Sequence, residues 1–162
     1  MPLRTLVLSV FVTLVLVAGA VRTAPPGHRV RRAAVVTLVL TLVEGWLGRY
    51  LVKAQLVGDD ASAARALWMS IHLCNTFLLL GACTLTAAFA SGRPLGRPTV
   101  GRGVALAAAL LLVVGLGVSG AVTALGDTLF PVRSHADVLR LASEPGAHFL
   151  LRQRVYHPYL AL

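Results

Sequence analysis

The chain has 162 residues, of which 57% are hydrophobic and only 13% charged, with a mean hydropathy of +0.79. A soluble domain is nearer 45–50% apolar, and here the excess is gathered into nearly charge-free blocks of the roughly 18 or more residues that cross a bilayer. The net charge of +9 would suit nucleic acid, but the arginines sit at block ends and in short loops and form no basic stripe with interleaved aromatics, which excludes that class.

In chain order, Leu6 to Val21 is the first apolar block. Arg4 before it and Ala18-Gly-Ala20 within it resemble a signal peptide, but the blocks that follow make a first span the better reading. A loop from Arg22 to Arg32 holds Pro25-Pro26-Gly27 and four arginines. The second span is expected over Ala33 to Ala54. A polar link with Asp59 and Asp60 follows, and Ser62 or Asp60 is placed to cap the third span, from about Ala64 to Ala90. Ser91 to Arg102 is a Gly/Pro/Arg loop. Gly103 to Leu125 is a fourth span rich in Gly and Ala, in which Ser119 and the glycines at 115, 117 and 120 would let a neighbouring helix approach. A polar stretch from Gly126 to Gly146 precedes a last apolar helix from Ala147. The fold class is therefore all-α: a polytopic transmembrane helical bundle, a single membrane domain over 1–162. Spans are expected at about 5–22, 33–54, 64–90 and 102–125, with a partial one at 147–162.

The loop with Arg22, Arg29, Arg31 and Arg32 and the loop with Arg93, Arg97 and Arg102 carry no acid, whereas the alternate segments carry Asp59, Asp60, Asp127, Asp137 and Glu144. The acid-free loops are the cytoplasmic candidates, which puts the N-terminus outside. His72 and His157 are then expected at similar depth in the outer leaflet.

Ionisable groups inside a span are costly and mark candidate sites. His72, among Leu73, Phe77 and Leu80, reads either as a histidine hydrogen-bonded to a neighbouring helix or as an axial haem ligand. His157 stands before Pro158, a residue tolerated at a helix start, and is expected near a helix start at the interface; it reads as a headgroup contact or a second ligand. Arg152 and Arg154 would pair with haem propionates or anchor the interface. Glu44 must face the bundle, paired with Arg49 or Lys53, held in a packed hydrogen bond, or serving a proton relay. Cys74 and Cys83, nine apart in one helix, lie on opposite faces and cannot bridge. His28, His135 and His148 have no partner at metal-ligand spacing, and no CxxC, HExxH or phosphate-loop motif occurs.

Several segments together resemble the haem A synthase family, the COX15/CtaA proteins of cytochrome oxidase assembly. They are Glu44-Gly45 with Leu47-Gly48 and Val52, then Ser70-Ile-His-Leu73 with Asn75-Thr-Phe-Leu-Leu-Leu80, then Gly120 to Pro131, and finally Arg154-Val-Tyr-His-Pro158. The resemblance implies eight spans in two four-helix repeats, each holding a haem between two histidines. On that template the chain supplies helices two to six, with His72 and His157 as haem iron ligands, one in each half. The implied activity is membrane oxidoreduction: the haem O methyl group becomes the formyl group of haem A, with haem b as cofactor and water as the oxygen source. The implied partners are the lipid bilayer, haem, and haem O synthase or a further half of the same protein.

The family's Glu-x-x-His-Arg motif is absent from these residues, and His157 is followed by Pro158 where the family has His-Arg. No catalytic acid or base is assigned. The chain is expected to be a fragment of its family's length that does not turn over haem O alone. The alternative is a non-enzymatic membrane haem-binding or assembly subunit.

Overall fold

A computed structural model describes residues 3–92, 96, 99–132, 134–160 and 162; Arg93 and Arg97, which enter the orientation argument, lie outside them. The described chain is helical throughout its elements: α1 (Leu3–Thr23), α2 (Arg29–Lys53), α3 (Ala63–Ala90), α4 (Val100–Leu129), α5 (His135–Ser143) and α6 (Phe149–Leu160). Four of these, α1 to α4, are long and apolar enough to cross a membrane. Their outward surfaces are apolar, as with Leu110, Leu111 and Leu112 of α4, the surface that hydrocarbon rather than water covers.

The helix ends follow local chemistry. Pro25-Pro26-Gly27 makes a tight turn in which the His28 amide donates to the Pro25 carbonyl and Gly27 takes φ +81°, a conformation that favours glycine. The His28 Nδ1 then accepts from the Val30 amide and caps α2. Ser62 caps α3, its hydroxyl accepting from the Arg65 amide while donating to Asp60. Ser134 caps α5 through the Asp137 amide.

The chain divides into two compact units. The first comprises 1–50 and 74–98. Ala20, Val30 and Ala34 form its small core, with Val17, Ala24 and Phe89 packed around them. Deeper in the helices, the hydroxyls of Thr37 (α2) and Thr86 (α3) meet at 3.2 Å, and both residues are almost fully buried. Hydroxyl pairs of this kind join helices where the hydrophobic effect supplies no drive. Gly45 lets α1 approach α2, because a Cβ there would overlap Leu6 Cδ1.

The second unit comprises 51–73 and 99–162. Ala66, Leu125 and Leu150 form its core, with Met69, Val122, Leu129 and Phe130 around them. Helix α6 packs along α4 and also against α5. A Cβ on Gly126 would lie 3.0 Å from the Leu150 carbonyl oxygen, so α4 and α6 touch there backbone to backbone.

Two expectations are corrected. The fourth helix does not end at Leu125: α4 continues to Leu129, into the polar stretch that begins at Gly126, and α5 follows. Pro158 is not at a helix start. Helix α6 begins at Phe149, capped by the His148 Nδ1 accepting from the Leu150 amide, and Pro158 lies inside its last turns. Proline removes one backbone donor wherever it stands, so its identity alone does not tell a first turn from a last one.

Candidate functional site

Five histidines occur in the chain, and two of them are occupied by local structure. His28 and His148 serve as caps of α2 and α6, and the His148 ring makes tilted contacts with the rings of Phe130 and Phe149. His72, on the candidate span α3, and His157, on the shorter α6, remain as the candidates.

His157 is held by α4. Its Nδ1 lies 3.2 Å from the Ser119 hydroxyl, and its ring rests on Gly120, where a Cβ would stand 3.2 Å from Cε1 and 3.5 Å from Nε2. Gln153, one turn earlier on α6, donates from Nε2 to the same hydroxyl at 3.5 Å. Ser119 is buried. The glycine that would let helices approach thus receives an imidazole, and the serine beside it hydrogen-bonds that ring.

His72 is half-buried on α3, with its Nδ1 shielded from solvent. Ala66 and Met69, within the two turns before it, belong to the core cluster that also holds Leu125 of α4 and Leu150 of α6. At about 1.5 Å of rise per residue, His72 stands about 9 Å along α3 from Ala66, and His157 about 10 Å along α6 from Leu150. The two imidazoles are therefore at comparable rise from one shared layer of packing, on different helices.

The two arginines of α6 separate. Arg154 is buried: it pairs with Asp127, its Nη1 donates to the Phe130 carbonyl at 2.8 Å, and its stem lies on Gly126. It joins α6 to the end of α4 and is committed there, which corrects its reading as a propionate partner or interface anchor. Arg152 is exposed and lines a cleft of about 430 Å³ with Leu139, Ala142, Ser143, Val155 and Tyr156. It is the arginine of the pair still open to an anionic group.

Glu44, in the middle of α2, is gripped from α3. Asn75 Nδ2 donates to Oε2 and also to the Leu40 carbonyl, while Thr76 donates to Oε1. This is the packed hydrogen-bond arrangement among the sequence alternatives, and it satisfies a polar group that hydrocarbon would penalise. Among the described residues no group of three or more His, Cys, Asp or Glu side chains is arranged to hold a bare metal ion. One histidine on a macrocycle's iron needs no such group, and an imidazole held at Nδ1 by Ser119 with Gly120 beside its Nε2 edge fits that role.

The sequence singles out both histidines as candidates and Ser119 only as a small packing residue, and it does not single out Gln153. The available signal was Gln153 and His157 spaced four apart on one helix face, with a lone serine among the small residues of α4.

Comparison with known proteins bears on this site. The family model COX15-CtaA, described as cytochrome oxidase assembly protein, matches residues 4–161. Two curated proteins named protohaem IX farnesyltransferase, from two strains of Thermus thermophilus, are each 44% identical over 153 residues. The match covers 92% of this chain and 25% of each relative, so the chain spans about a quarter of their length. No solved structure matches.

Proposed function

The chain belongs to the COX15-CtaA family of cytochrome oxidase assembly proteins, and from that premise we propose that it is a haem-holding unit of a haem A synthase-like membrane oxidoreductase. In this reading the substrate is haem O, and its methyl group becomes a formyl group: CH₃ plus H₂O gives CHO with four protons and four electrons released. A bound haem b would supply the one-electron redox chemistry that such a release requires.

The chain's own residues have holding and orienting tasks. His157 would ligate iron through Nε2, since Nδ1 is engaged by Ser119. His72 would ligate a second haem from α3. Arg152, exposed on α6, would take a propionate, whereas Arg154 is spent on Asp127 and the Phe130 carbonyl. The observation that carries the reading is the seating of His157 on Gly120 with its Nδ1 hydrogen-bonded, the arrangement that iron-ligating histidines use to fix ring orientation.

The test is spectroscopic and chemical. The full polypeptide, purified in detergent, is expected to show a reduced haem b spectrum, a component of which is lost in His157→Ala and another in His72→Ala. Supplied with haem O and a one-electron acceptor, and completed by the remaining helices of the family's eight-span template, it is expected to form haem A, whereas these 162 residues alone are not. Unchanged haem content in both variants would refute the ligand assignment; haem binding without any formyl product would refute the oxidoreductase assignment.

The relatives' name favours a second reading. The same helical unit occurs within proteins named for a prenyl transfer to protohaem IX, so a non-enzymatic unit that holds haem for a neighbouring prenylating domain accounts for the match. That reading expects haem binding, the same two histidine dependences, and no formyl product.

A further inference from the structure

The buried hydroxyl of Ser119 stands out in α4. From Gly115 to Val122 the rest of the helix is Gly, Ala, Leu and Val, with the next hydroxyl at Thr123, and a polar group buried in such surroundings costs free energy unless it is used. Its neighbours are both on one face of α6: His157 Nδ1 at 3.2 Å and Gln153 Nε2 at 3.5 Å. An amide nitrogen only donates, so the Ser119 oxygen accepts from Gln153 and keeps both a second lone pair and its own O–H for the imidazole. The imidazole nitrogen beside it is placed to donate to that lone pair.

We propose that Ser119, oriented by Gln153, is a positioning residue that holds His157 in the tautomer with the proton on Nδ1, leaving the Nε2 lone pair to bind haem iron. The inference rests on the ligand role given to His157 above and adds what sets that ligand's protonation and strength. A hydrogen bond accepted from Nδ1–H raises the electron donation of the ring through Nε2. Stronger donation favours ferric over ferrous iron and lowers the reduction potential. Gly120 has the complementary task of leaving room, since a methyl group there would crowd the ring edge that carries Cε1 and Nε2.

Redox titration and haem retention of the full polypeptide in detergent test this. The relevant signal is the component of the titration that His157→Ala removes. Ser119→Ala is expected to keep that haem but to weaken its ferric affinity about tenfold, the low end for loss of a ligand's hydrogen-bond partner. If ferrous affinity is unchanged, that component moves about 59 mV to higher potential. Ser119→Thr, which keeps the hydroxyl, is expected to restore the wild-type potential. Gly120→Ala is expected to lower occupancy of the same haem while leaving the component lost in His72→Ala in place.

A Ser119→Ala protein with wild-type potential and retention would overturn the positioning role, as would equal shifts in the Ala and Thr variants. If His157→Ala removes no component at all, it is the ligand reading itself that fails.

Discussion

The Arg154–Asp127 pair leads to an asymmetry that a count of lost contacts would miss. The Arg154 side chain is 8% exposed and that of Asp127 55% exposed. Removing Asp127 strands a buried cation whose remaining partner is the Phe130 carbonyl. Breaking a buried pair in that direction costs about 3–5 kcal/mol, and the lower end applies because the mouth of the pair is open to water. Removing Arg154 instead leaves a carboxylate that hydrates freely and one carbonyl near a helix end. With methionine filling the stem's volume over Gly126, the loss is about 1–2 kcal/mol. Asp127→Ala is therefore expected to destabilise the protein more than Arg154→Met by about 1–2 kcal/mol, roughly five- to thirtyfold in the unfolding equilibrium. The double variant should lie close to Arg154→Met alone, since no buried charge is left to strand. Equilibrium unfolding in mixed detergent micelles, followed by far-ultraviolet circular dichroism, measures all three. Equal losses in the two single variants, or a double variant as unstable as the sum, would refute the burial argument.

Two further predictions concern the first unit. Glu44→Gln keeps an oxygen to accept from Asn75 or Thr76 and is expected to cost under about 1 kcal/mol, while Glu44→Leu leaves both donors without that acceptor and is expected to cost about 2–3 kcal/mol; equal losses, read by the same unfolding assay, would show that the grip on the carboxylate is not what stabilises it. A double-mutant cycle of Thr37→Val and Thr86→Val is expected to give a coupling of about 0.6 kcal/mol, the usual worth of a hydrogen bond between membrane helices, and a coupling of zero would remove the hydroxyl pair as a joint between α2 and α3.

The spans were legible because each is a long apolar run, and α1 to α4 fall within a few residues of the expected ranges. What the sequence left hidden depended on direction around a helix axis. Arg152 and Arg154 are equivalent as letters, yet two residues apart on α6 they point about 200° apart, and only Arg154 meets α4. Ser119 and Gly120 read as a small-residue stripe because nothing in α4 itself reveals that a histidine lies across from it. Helix α5 was missed because nine residues with Asp137 and Arg140 among them offer too few turns for a periodic signal. The caps at His28 and His148 were missed because imidazole is not a usual capping group.

The buried arginine also bears on how the polypeptide is assembled in the membrane. Helix α6 carries Arg152, Gln153, Arg154 and His157 within twelve residues, and an arginine at the centre of a span opposes insertion by about 2.5–3.5 kcal/mol. Helix α4 is synthesised first, and with it come Asp127, the Phe130 carbonyl and the Ser119–Gly120 surface on which these polar groups come to rest. The most hydrophobic helix therefore serves as a receptor for the least hydrophobic one. Helix α6, twelve residues long and not among the described helices long and apolar enough to cross a membrane, depends on these polar contacts for its place beside α4.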